Sequence, residues 1–569
     1  MIGKFSFVLH SHLPFVLNHG IWPHGQDWLN EAGAECYIPI LNTLYKLKDE
    51  GYNPHLTMGI TPVLLEQLKS DIFKDSFIIY LNNKINAALK DEELFKSLNN
   101  NHRVKLSKMW QEFYTSILEN FRNKYDKDLI NAFKILQDEN IIEIITCAAT
   151  HGYLPLIKRD NCIQAQIKTG VQCYKKHFNE KPIGIWLPEC AYRPAYKWEP
   201  PVGIDKTPQE RKGIEEIVSE NGLKYFFIDT PLLKGGKAVG VYIERFGSLK
   251  RMWEIFKKQY IPDPIDMKKS PYETYILHPR EDMEPVTVFT RDPRTSIQLW
   301  SAEHGYPGDG WYLEFHKKHY PSGLRYWRVT SSKSSLGDKF EYDPDQVIKR
   351  IEENASHYKS LIHDLLKSHH EKNPDSQSLL IAPYDAELLG HWWFEGPKFL
   401  YYVLKWVEDD PEIELTTCGK FIEEYPATTV IRIPEGSWGE GSGSWVWLNE
   451  WTEWTWEKIY ECEDKMIDLV KKYHNFNDNN AKNILKQLGR ELLLLESSDW
   501  QFLISTWSAR DYAENRVAEH YSRFNRLSHM LETFCSGEQV NEGDWTYLGI
   551  LEKEDDIFQE IDIKFWLKK

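Results

Sequence analysis

Seven short apolar runs recur between residues 5 and 383, most of them separated by segments in which apolar residues repeat at helical spacing. Short apolar runs bounded by turn residues are typical of buried strands, and helices between such strands favour a parallel sheet covered on both faces. Seven strands of this kind predict an α/β fold in the form of an incomplete (β/α)7 barrel. The runs are Phe5–Leu9, Leu56–Ile60, Ile141–Cys147, Ile183–Leu187, Tyr225–Ile228, Val286–Thr290 and Leu379–Pro383.

Two other parts of the chain show a different pattern. Residues 63–139 and the chain beyond residue 425 have heptad-like apolar spacing with polar residues between, which predicts amphipathic helices. We therefore expect a barrel over residues 1–62 and 140–425, a helical insertion over 63–139 and a C-terminal helical domain over 426–569, whose first, aromatic loop reaches the active site at the barrel mouth. Outside the insertion, the predicted helices are 161–178, 207–221, 344–368, 453–473, 480–496 and 508–534.

Polar side chains follow most of the seven apolar runs directly. In a β/α barrel the carboxyl ends of the strands converge on one mouth, which holds the active site. Independent surface residues would have no reason to recur at this topological point, so the pattern predicts a catalytic mouth. The residues at the strand ends are His10, His12, His151, Glu189, Asp229, Arg291, Asp292, Asp385 and Glu387.

Glu189 is the first candidate for chemistry, because Pro188 ends a buried strand immediately before it. Two carboxylates at facing strand ends suit reactions of glycosidic bonds, in which one attacks the anomeric carbon and the other transfers the proton. Asp385 or Glu387 would be the second carboxylate, and the pattern leaves that choice open. The side chains that could contact sugar hydroxyls are His10, His12, His151, Arg291 and Asp292.

Two other classes of protein fit part of this pattern. His10 and His12 at the end of the first strand are also typical of metal-dependent amidohydrolase barrels, and His151 and Asp385 could complete such a site. The ends of strands four to six lack Lys or His, which disfavours that class. A non-catalytic sugar-binding protein would keep the aromatic residues and would need no carboxylate pair.

Composition narrows the classes further. The formal net charge of −16 disfavours nucleic acid or anionic membranes as partners. The eight cysteines have no C-x-x-C spacing, so we expect free thiols and no zinc site.

The chain has neither a signal-peptide layout nor an apolar run of about 18 residues, so we expect a cytoplasmic protein. The 22 tryptophans, three of them in the glycine-rich segment 434–449, suit the flat C–H faces of sugars.

Several longer motifs carry a resemblance to a known family. Together they resemble the ordered motifs of glycoside hydrolase family fifty-seven, and within it the branching-enzyme branch, from residue 5 to about residue 525. The motifs are His-Ser-His-Leu-Pro (10–14), Thr-His-Gly-Tyr-Leu-Pro (150–155), Trp-Leu-Pro-Glu-Cys-Ala-Tyr (186–192), Arg-Asp-Pro (291–293), Gln-Leu-Trp-Ser (298–301) and Pro-Tyr-Asp-Ala-Glu-Leu-Leu-Gly-His-Trp-Trp-Phe-Glu-Gly-Pro (383–397).

The resemblance implies a seven-stranded barrel and a retaining double displacement on α-1,4-glucan, without a metal or other cofactor. It implies that Glu189 is the nucleophile and Asp385 the general acid/base. The three histidines would line the donor subsite, and tryptophans would contact the glucan. The expected substrate-binding residues are His10, His12, Trp22, His151, Trp186, Tyr242, Arg291, Asp292, Trp300, His391, Trp392, Trp438, Trp447 and Asp499.

The segment from Pro231 to Pro285 is longer than the loop that the branching-enzyme branch carries after its fifth strand. That loop presents a tyrosine that favours transfer over hydrolysis. Tyr242 is the expected counterpart, with Tyr272 and Tyr275 as alternatives. Whether a second glucan or water receives the sugar therefore stays open, and an amylase-like α-glucan hydrolase of the same family is the alternative function.

Overall fold

Seven parallel strands form the centre of the structure, a computed structural model that describes residues 1–235, 269–277, 282–301, 305–331 and 333–567. Every residue of the first two strands is buried, including the polar side chains of Lys4, Ser6 and His10 in β1. This burial is expected for a parallel sheet that helices cover. The strands are β1 (Gly3–Ser11), β2 (Leu56–Ile60), β3 (Ile142–Cys147), β4 (Ile185–Trp186), β5 (Tyr225–Ile228), β6 (Val286–Thr290) and β7 (Leu379–Asp385).

The seven strands form a closed circuit. β1 pairs with both β2 and β7, β2 pairs with β3, β3 pairs with β4, and β5 pairs with β6, all in parallel. Single parallel bridges complete the ring: Gly184 with Tyr225 joins β4 to β5, and Arg291 with Ile381 joins β6 to β7. The predicted seven-stranded β/α barrel is therefore confirmed, and all seven carboxyl ends lie at one mouth.

Helices surround the barrel and extend beyond it. In the part predicted as an insertion, two long helices pack against each other, and the Trp110 indole donates a hydrogen bond to the carbonyl of Arg325 (2.7 Å). The helices from residue 26 to residue 424 are Gln26–Ala32, Ile38–Asp49, Pro62–Lys69, Asp71–Ser97, Asn101–Glu119, Leu129–Asp138, Asp160–Phe178, Ile214–Glu220, Thr230–Lys234, Pro293–Trp300, Pro344–Lys372, Gly396–Glu408 and Cys418–Glu424.

The C-terminal part is helical and lies against the barrel mouth. The hydroxyl of Thr150, in the loop after β3, donates a hydrogen bond to the carbonyl of Leu493, and Gly152 forms a bridge with Ser497. Among the described helices, none is both long enough and apolar enough to cross a membrane. The helices of this part are Glu453–Tyr473, Asn479–Leu495, Asp499–Thr506, Arg510–Cys535 and Glu542–Glu554.

Two local predictions were wrong. The helix predicted over 207–221 begins only at Ile214, because Gln209–Arg211 forms a strand antiparallel to Tyr196–Trp198. The Glu216 carboxylate accepts a hydrogen bond from the N–H of Gly213 (3.0 Å), which fixes this later helix start. The run 183–187 yields only the two-residue strand β4, since the chain turns at Pro188.

Candidate active site

A cavity of about 590 Å³ opens at the carboxyl ends of the barrel strands. It gathers most of the polar residues that the sequence places after the strands, so these residues form one site. Its other walls come from the segments 13–32, 293–300 and 315–316, from the segment 434–449 and from residues 499–508 of the C-terminal part. The strand-end residues that line the cavity are His10, His12, His151, Glu189, Asp229, Arg291, Asp385 and Glu387.

Glu189 lies in an unusual backbone conformation at the floor of this cavity. It follows β4 in a short 3-10 turn, with φ of 61° and ψ of 23°, and Cys190 also has a positive φ of 48°. His151, which follows β3, has a φ of 59°. Non-glycine residues rarely adopt this left-handed region, and such strained conformations cluster at functional sites. Two neighbouring strands thus end in strained residues that line the same cavity.

Two side chains from beyond residue 425 hold the Glu189 carboxylate. The Trp438 indole donates a hydrogen bond to Oε2 (2.8 Å), and the Ser498 hydroxyl donates one to Oε1 (3.4 Å). Desolvation at the cavity floor raises the pKa of Glu189 to about 7; the Trp438 hydrogen bond opposes this shift, and the charge of Asp385 adds to it. Glu189 is therefore a desolvated carboxylate with fixed orientation.

Asp385 ends β7 in register with His10 of β1. Burial raises the pKa of the Asp385 carboxyl well above its usual range, the charge of Glu387 adds to the shift, and the Arg291 guanidinium opposes it. A raised pKa favours the protonated form of the carboxyl, which is the form that a general acid needs. The cavity thus holds two desolvated carboxyl groups, Asp385 and Glu189, whose pKa values are both raised.

Glu387 has different partners from Asp385. It accepts hydrogen bonds from the hydroxyl of Tyr37 (2.5 Å) and the backbone N–H of His12 (3.1 Å). Burial raises its pKa to about 7. Both donors lie in the chain after β1, whereas Glu387 lies in the loop after β7. Glu387 therefore links these two segments, and we infer that it positions them.

The three histidines form a hydrogen-bonded stack next to Glu189. His10 and His151 share a hydrogen bond between their Nε2 atoms (3.0 Å), and the rings of His12 and His151 stack with centroids 3.9 Å apart. His151 Nδ1 bonds to Ser498 (2.9 Å), and His12 Nε2 bonds to Asp499 (2.9 Å). Burial lowers the pKa values of His10 and His151, so both rings are neutral at neutral pH.

The contacts of the histidines also show how well this cluster would suit a metal ion. Ligand atoms of His12, His151 and Asp499 lie within 4.8 Å of one another. All four ring nitrogens of His12 and His151 already have protein partners, including Thr61 for His12 Nδ1 (3.1 Å). The set also lacks Asp385, which the sequence suggested as a residue that could complete a metal site. This hydrogen-bond network explains the cluster without an ion.

Arg291 and Asp229 form a second fixed pair in the wall. The guanidinium donates from Nε and Nη2 to both carboxylate oxygens (3.1 and 2.7 Å) and lies 5.5 Å from the ring centroid of Trp438. Bidentate pairing of this kind fixes both side chains in orientation. The pair supports the indole that bonds to Glu189.

Aromatic side chains form much of the remaining lining. Trp300 and Trp392 lie with ring centroids 6.2 Å apart, and Trp447 stacks on Tyr153 at 4.6 Å. Flat apolar walls with a few polar groups at the floor are typical of carbohydrate clefts. The predicted residues of this wall that do line the cavity are Trp300, His391, Trp392, Trp438, Trp447 and Asp499.

The other predicted substrate-binding residues lie elsewhere. Trp186 is buried below the floor, where it stacks on His10 at 4.6 Å. Asp292 is buried as the N-cap of the following helix and accepts hydrogen bonds from Thr295 and Tyr272. Trp22 is 79% exposed beside Pro23, which lines the cavity. Tyr242 lies outside the described residues.

Sequence reasoning missed several residues of the site. Ser498 touches both Glu189 and His151, and only its position next to the predicted Asp499 could have indicated it. Trp28, Phe315 and Glu440 also line the cavity. They come from segments without a strand-end pattern, so nothing in their local sequence distinguishes them from packing or surface residues.

A barrel whose mouth presents two desolvated carboxyl groups among aromatic walls defines the class of glycoside-active enzymes that work with a carboxylate pair. Comparison with known families agrees with this class. The profile described as "Glycosyl hydrolase family 57" matches residues 6–434, and the profile "1,4-alpha-glucan branching enzyme, C-terminal" matches residues 458–566. The chain belongs to glycosyl hydrolase family 57.

Known relatives extend over nearly the whole chain. The 1,4-alpha-glucan branching enzyme TK1436 of Thermococcus kodakarensis is 42% identical over 99% of this chain and 78% of its own length. The GH57-type branching enzyme of Pyrococcus horikoshii has a solved structure with a TM-score of 0.88, 38% identity and coverage of 100% and 97%. The α-amylase AmyC of Thermotoga maritima has a TM-score of 0.81 and 29% identity, with each chain fully covered.

Proposed function

We propose that this protein is a retaining 1,4-α-glucan branching enzyme, which cleaves an α-1,4 bond and transfers the released chain to form an α-1,6 branch. The observation that carries the proposal is the pair of Glu189 and Asp385, which both line the cavity. The Trp438 hydrogen bond favours the ionised form of Glu189 and opposes the desolvation that raises its pKa to about 7, whereas burial raises the pKa of Asp385 well above its usual range and favours its protonated form.

In the first step, a Glu189 oxygen attacks the anomeric carbon while the C1–O4 bond of the glucan breaks. Asp385 gives its proton to the departing O4 and becomes a carboxylate. The glycosyl group is then held as an ester on Glu189. Trp438 and Ser498 orient the attacking carboxylate, because each bonds to one of its oxygens.

In the second step, the ionised Asp385 takes the proton from a 6-hydroxyl of an acceptor glucan. The acceptor oxygen attacks the anomeric carbon, and the ester bond to Glu189 breaks. Both carboxyl groups return to their starting states. Two displacements at the same carbon give net retention of the α configuration.

The neutral His10–His151 pair and the His12–Asp499 pair support these steps by fixing the shape and polarity of the floor beside Glu189. The tryptophans of the cavity wall would pack on the C–H faces of further glucose units. The name of the relative TK1436 and the branching-enzyme profile over residues 458–566 favour branching as the outcome.

Hydrolysis is the second candidate outcome, and the structural likeness to the α-amylase AmyC favours it. The two outcomes share the first step and differ only in whether water or a 6-hydroxyl attacks the ester on Glu189. To separate them, amylose is incubated with the protein, and new reducing ends are compared before and after a debranching treatment. Branching predicts many new ends only after debranching; equal numbers before and after would establish a hydrolase.

The assignment of the nucleophile has its own test. We expect Glu189→Gln to lower kcat on amylose by about 10³–10⁶-fold, because the amide cannot form the ester, while amylose still binds. Glu395→Gln is the matched control: burial raises the pKa of Glu395 to about 7 as well, but this residue does not line the cavity. Full activity of Glu189→Gln would overturn the mechanism.

A further inference from the structure

Trp507 stands out among the described tryptophans outside the cavity. It follows the helix Asp499–Thr506 in the left-handed conformation, with φ of 58° and ψ of 20°, and its side chain is 56% exposed. Glycine is the residue that helices favour at this position, since a side chain there strains the backbone. An exposed indole on strained backbone contributes little to folding, so its presence points to a binding role.

Two neighbours hold the indole in place. The ring of Trp451 lies 5.7 Å away at an angle of 81°, and the Arg510 guanidinium lies 4.7 Å from the Trp507 ring centroid. Arg510 is itself oriented by Glu514, which accepts a hydrogen bond from Nε (2.7 Å). Trp451, Trp507 and Arg510 form what we call the outer tryptophan surface. It combines flat apolar faces with a fixed donor, and more than half of Trp507 remains open to solvent.

The outer tryptophan surface is continuous with the catalytic cavity. Ser508, directly after Trp507, lines the cavity, as do Phe502 and Leu503 of the preceding helix. The same helix begins at Asp499, which bonds to His12. Eight residues at 1.5 Å per residue separate Asp499 from Trp507, so the surface lies roughly 12 Å along the helix from the catalytic histidines. A ligand too long for the cavity would reach it.

We propose that the outer tryptophan surface is a binding site for an α-1,4-glucan chain that extends out of the cavity. This inference rests on the proposed function and adds to it a contact beyond the catalytic cavity. Pyranose rings present C–H faces that pack on indoles, and their hydroxyls accept hydrogen bonds from guanidinium groups. The site would hold long chains and would leave short ones unaffected.

The test uses Trp507→Gly, because glycine suits the left-handed backbone. In the Glu189→Gln background, which binds without turnover, we expect the Kd for long amylose to rise severalfold and the Kd for a short maltooligosaccharide to stay unchanged. In the otherwise native enzyme, KM for amylose should rise by the same factor with little change in kcat. The melting temperature should stay equal or increase, since the strain is removed.

Trp311→Ala is the matched control. Trp311 is 40% exposed and lies under Arg328 at 4.2 Å, but it does not line the cavity, so its loss should leave the Kd for amylose unchanged. Trp507→Asn, which also tolerates the left-handed conformation, repeats the test with a side chain present.

The possible binding results distinguish a failure of the outer tryptophan surface from a failure of the proposed function. An active native enzyme whose Trp507→Gly and Trp507→Asn variants bind long amylose normally would overturn the outer site alone. A native protein that neither binds nor converts amylose would overturn the proposed function. Equal weakening for long and short ligands would place the effect inside the cavity and would also overturn the outer site.

Discussion

Glu387 shows how one residue sets the properties of its neighbour. It lies two positions after Asp385 on the same strand end, and its charge helps to raise the pKa of the Asp385 carboxyl. In the proposed mechanism Asp385 must carry a proton to protonate the departing oxygen, so we expect the rate to fall on the alkaline side as Asp385 ionises. By this mechanism the charge of Glu387 would extend the range of pH in which the enzyme is active.

Glu387→Gln should move the alkaline limb of the kcat/KM profile to lower pH. The amide keeps an oxygen for the Tyr37 hydroxyl but removes the charge that opposes ionisation of Asp385, so the pKa of Asp385 falls. Initial rates on amylose across the pH range measure the shift. The exposed Glu423→Gln is the control, and an alkaline limb that stays in place in Glu387→Gln would contradict this coupling.

For single residues, the sequence predicts which side chains come together at the barrel mouth, but it does not predict the hydrogen-bond partners of each side chain. The positions of Glu189, Asp385 and Glu387 follow from where apolar runs end. The choice between Asp385 and Glu387 depends on the Tyr37 hydroxyl and the His12 N–H, which hold Glu387. Those contacts join distant segments, and no local pattern encodes them.

The segment 434–449 is the element that brings Trp438 to Glu189. Its glycines allow close packing: a Cβ added at Gly439 would lie 2.7 Å from Cζ3 of Trp447 and 3.1 Å from the Ser437 hydroxyl. The backbone of Trp438 also bonds to the carbonyl of Glu189 (3.0 Å). The segment and Glu189 are thus fixed to each other in both main chain and side chain.

Gly439→Ala should lower kcat/KM on amylose by about 10²-fold, because a displacement of about 1 Å in a positioning element has effects of this size. The added methyl group must displace Trp447 or the Trp438 backbone. Gly549→Ala is the control, since nothing lies within 4 Å of a Cβ added there. Normal kcat/KM in Gly439→Ala, with the fold verified by circular dichroism, would show that the segment has more freedom than its packing indicates.

Helices and strands were predicted correctly where the hydrophobic period repeats over many residues, and they were missed where the segment is too short to show a period. The helix Glu453–Tyr473 matches its predicted range, because six turns of amphipathic spacing leave little ambiguity. The strand Gln209–Arg211 was missed, since three residues carry no period and the pairing depends on Tyr196–Trp198. The glycine-rich segment has no period at all, so the contact of Trp438 with Glu189 could not be predicted from it.

At the scale of the whole molecule, buried acids lie between the barrel and the C-terminal helices. Glu463 accepts hydrogen bonds from the backbone N–H groups of Lys158 and Arg159 (3.1 and 2.7 Å), and Glu496 accepts one from the Gln166 amide (2.8 Å). Burial raises the pKa of Glu463 to about 7; burial and the charge of Glu463 raise that of Glu496 well above its usual range. Both groups hold their protons more tightly in the folded protein.

Glu496→Gln should therefore stabilise the protein at pH 8 by on the order of 1–3 kcal/mol and have little effect at pH 5. A carboxyl with a raised folded pKa favours folding at low pH, and that contribution is lost as the pH rises from the unfolded pKa of about 4.5 through the raised folded pKa. The neutral amide avoids the loss. Denaturant unfolding at both pH values measures the effect, with exposed Glu538→Gln as the control; equal stability of wild type and Glu496→Gln at pH 8 would refute the coupling.

The bond between His12 and Asp499 joins residues 487 positions apart. At synthesis rates of about 5–20 residues per second, His12 leaves the ribosome about 25–100 s before its partner exists. Ser498 is made equally late, so Glu189 in a growing chain lacks one of its two orienting contacts, while Trp438 is already present. The segments that form the barrel strands are all made before residue 386, but His12, His151 and Glu189 gain their contacts with Ser498 and Asp499 only when the last eighth of the polypeptide is made. The hydrogen-bond network at the cavity floor is therefore completed late in synthesis.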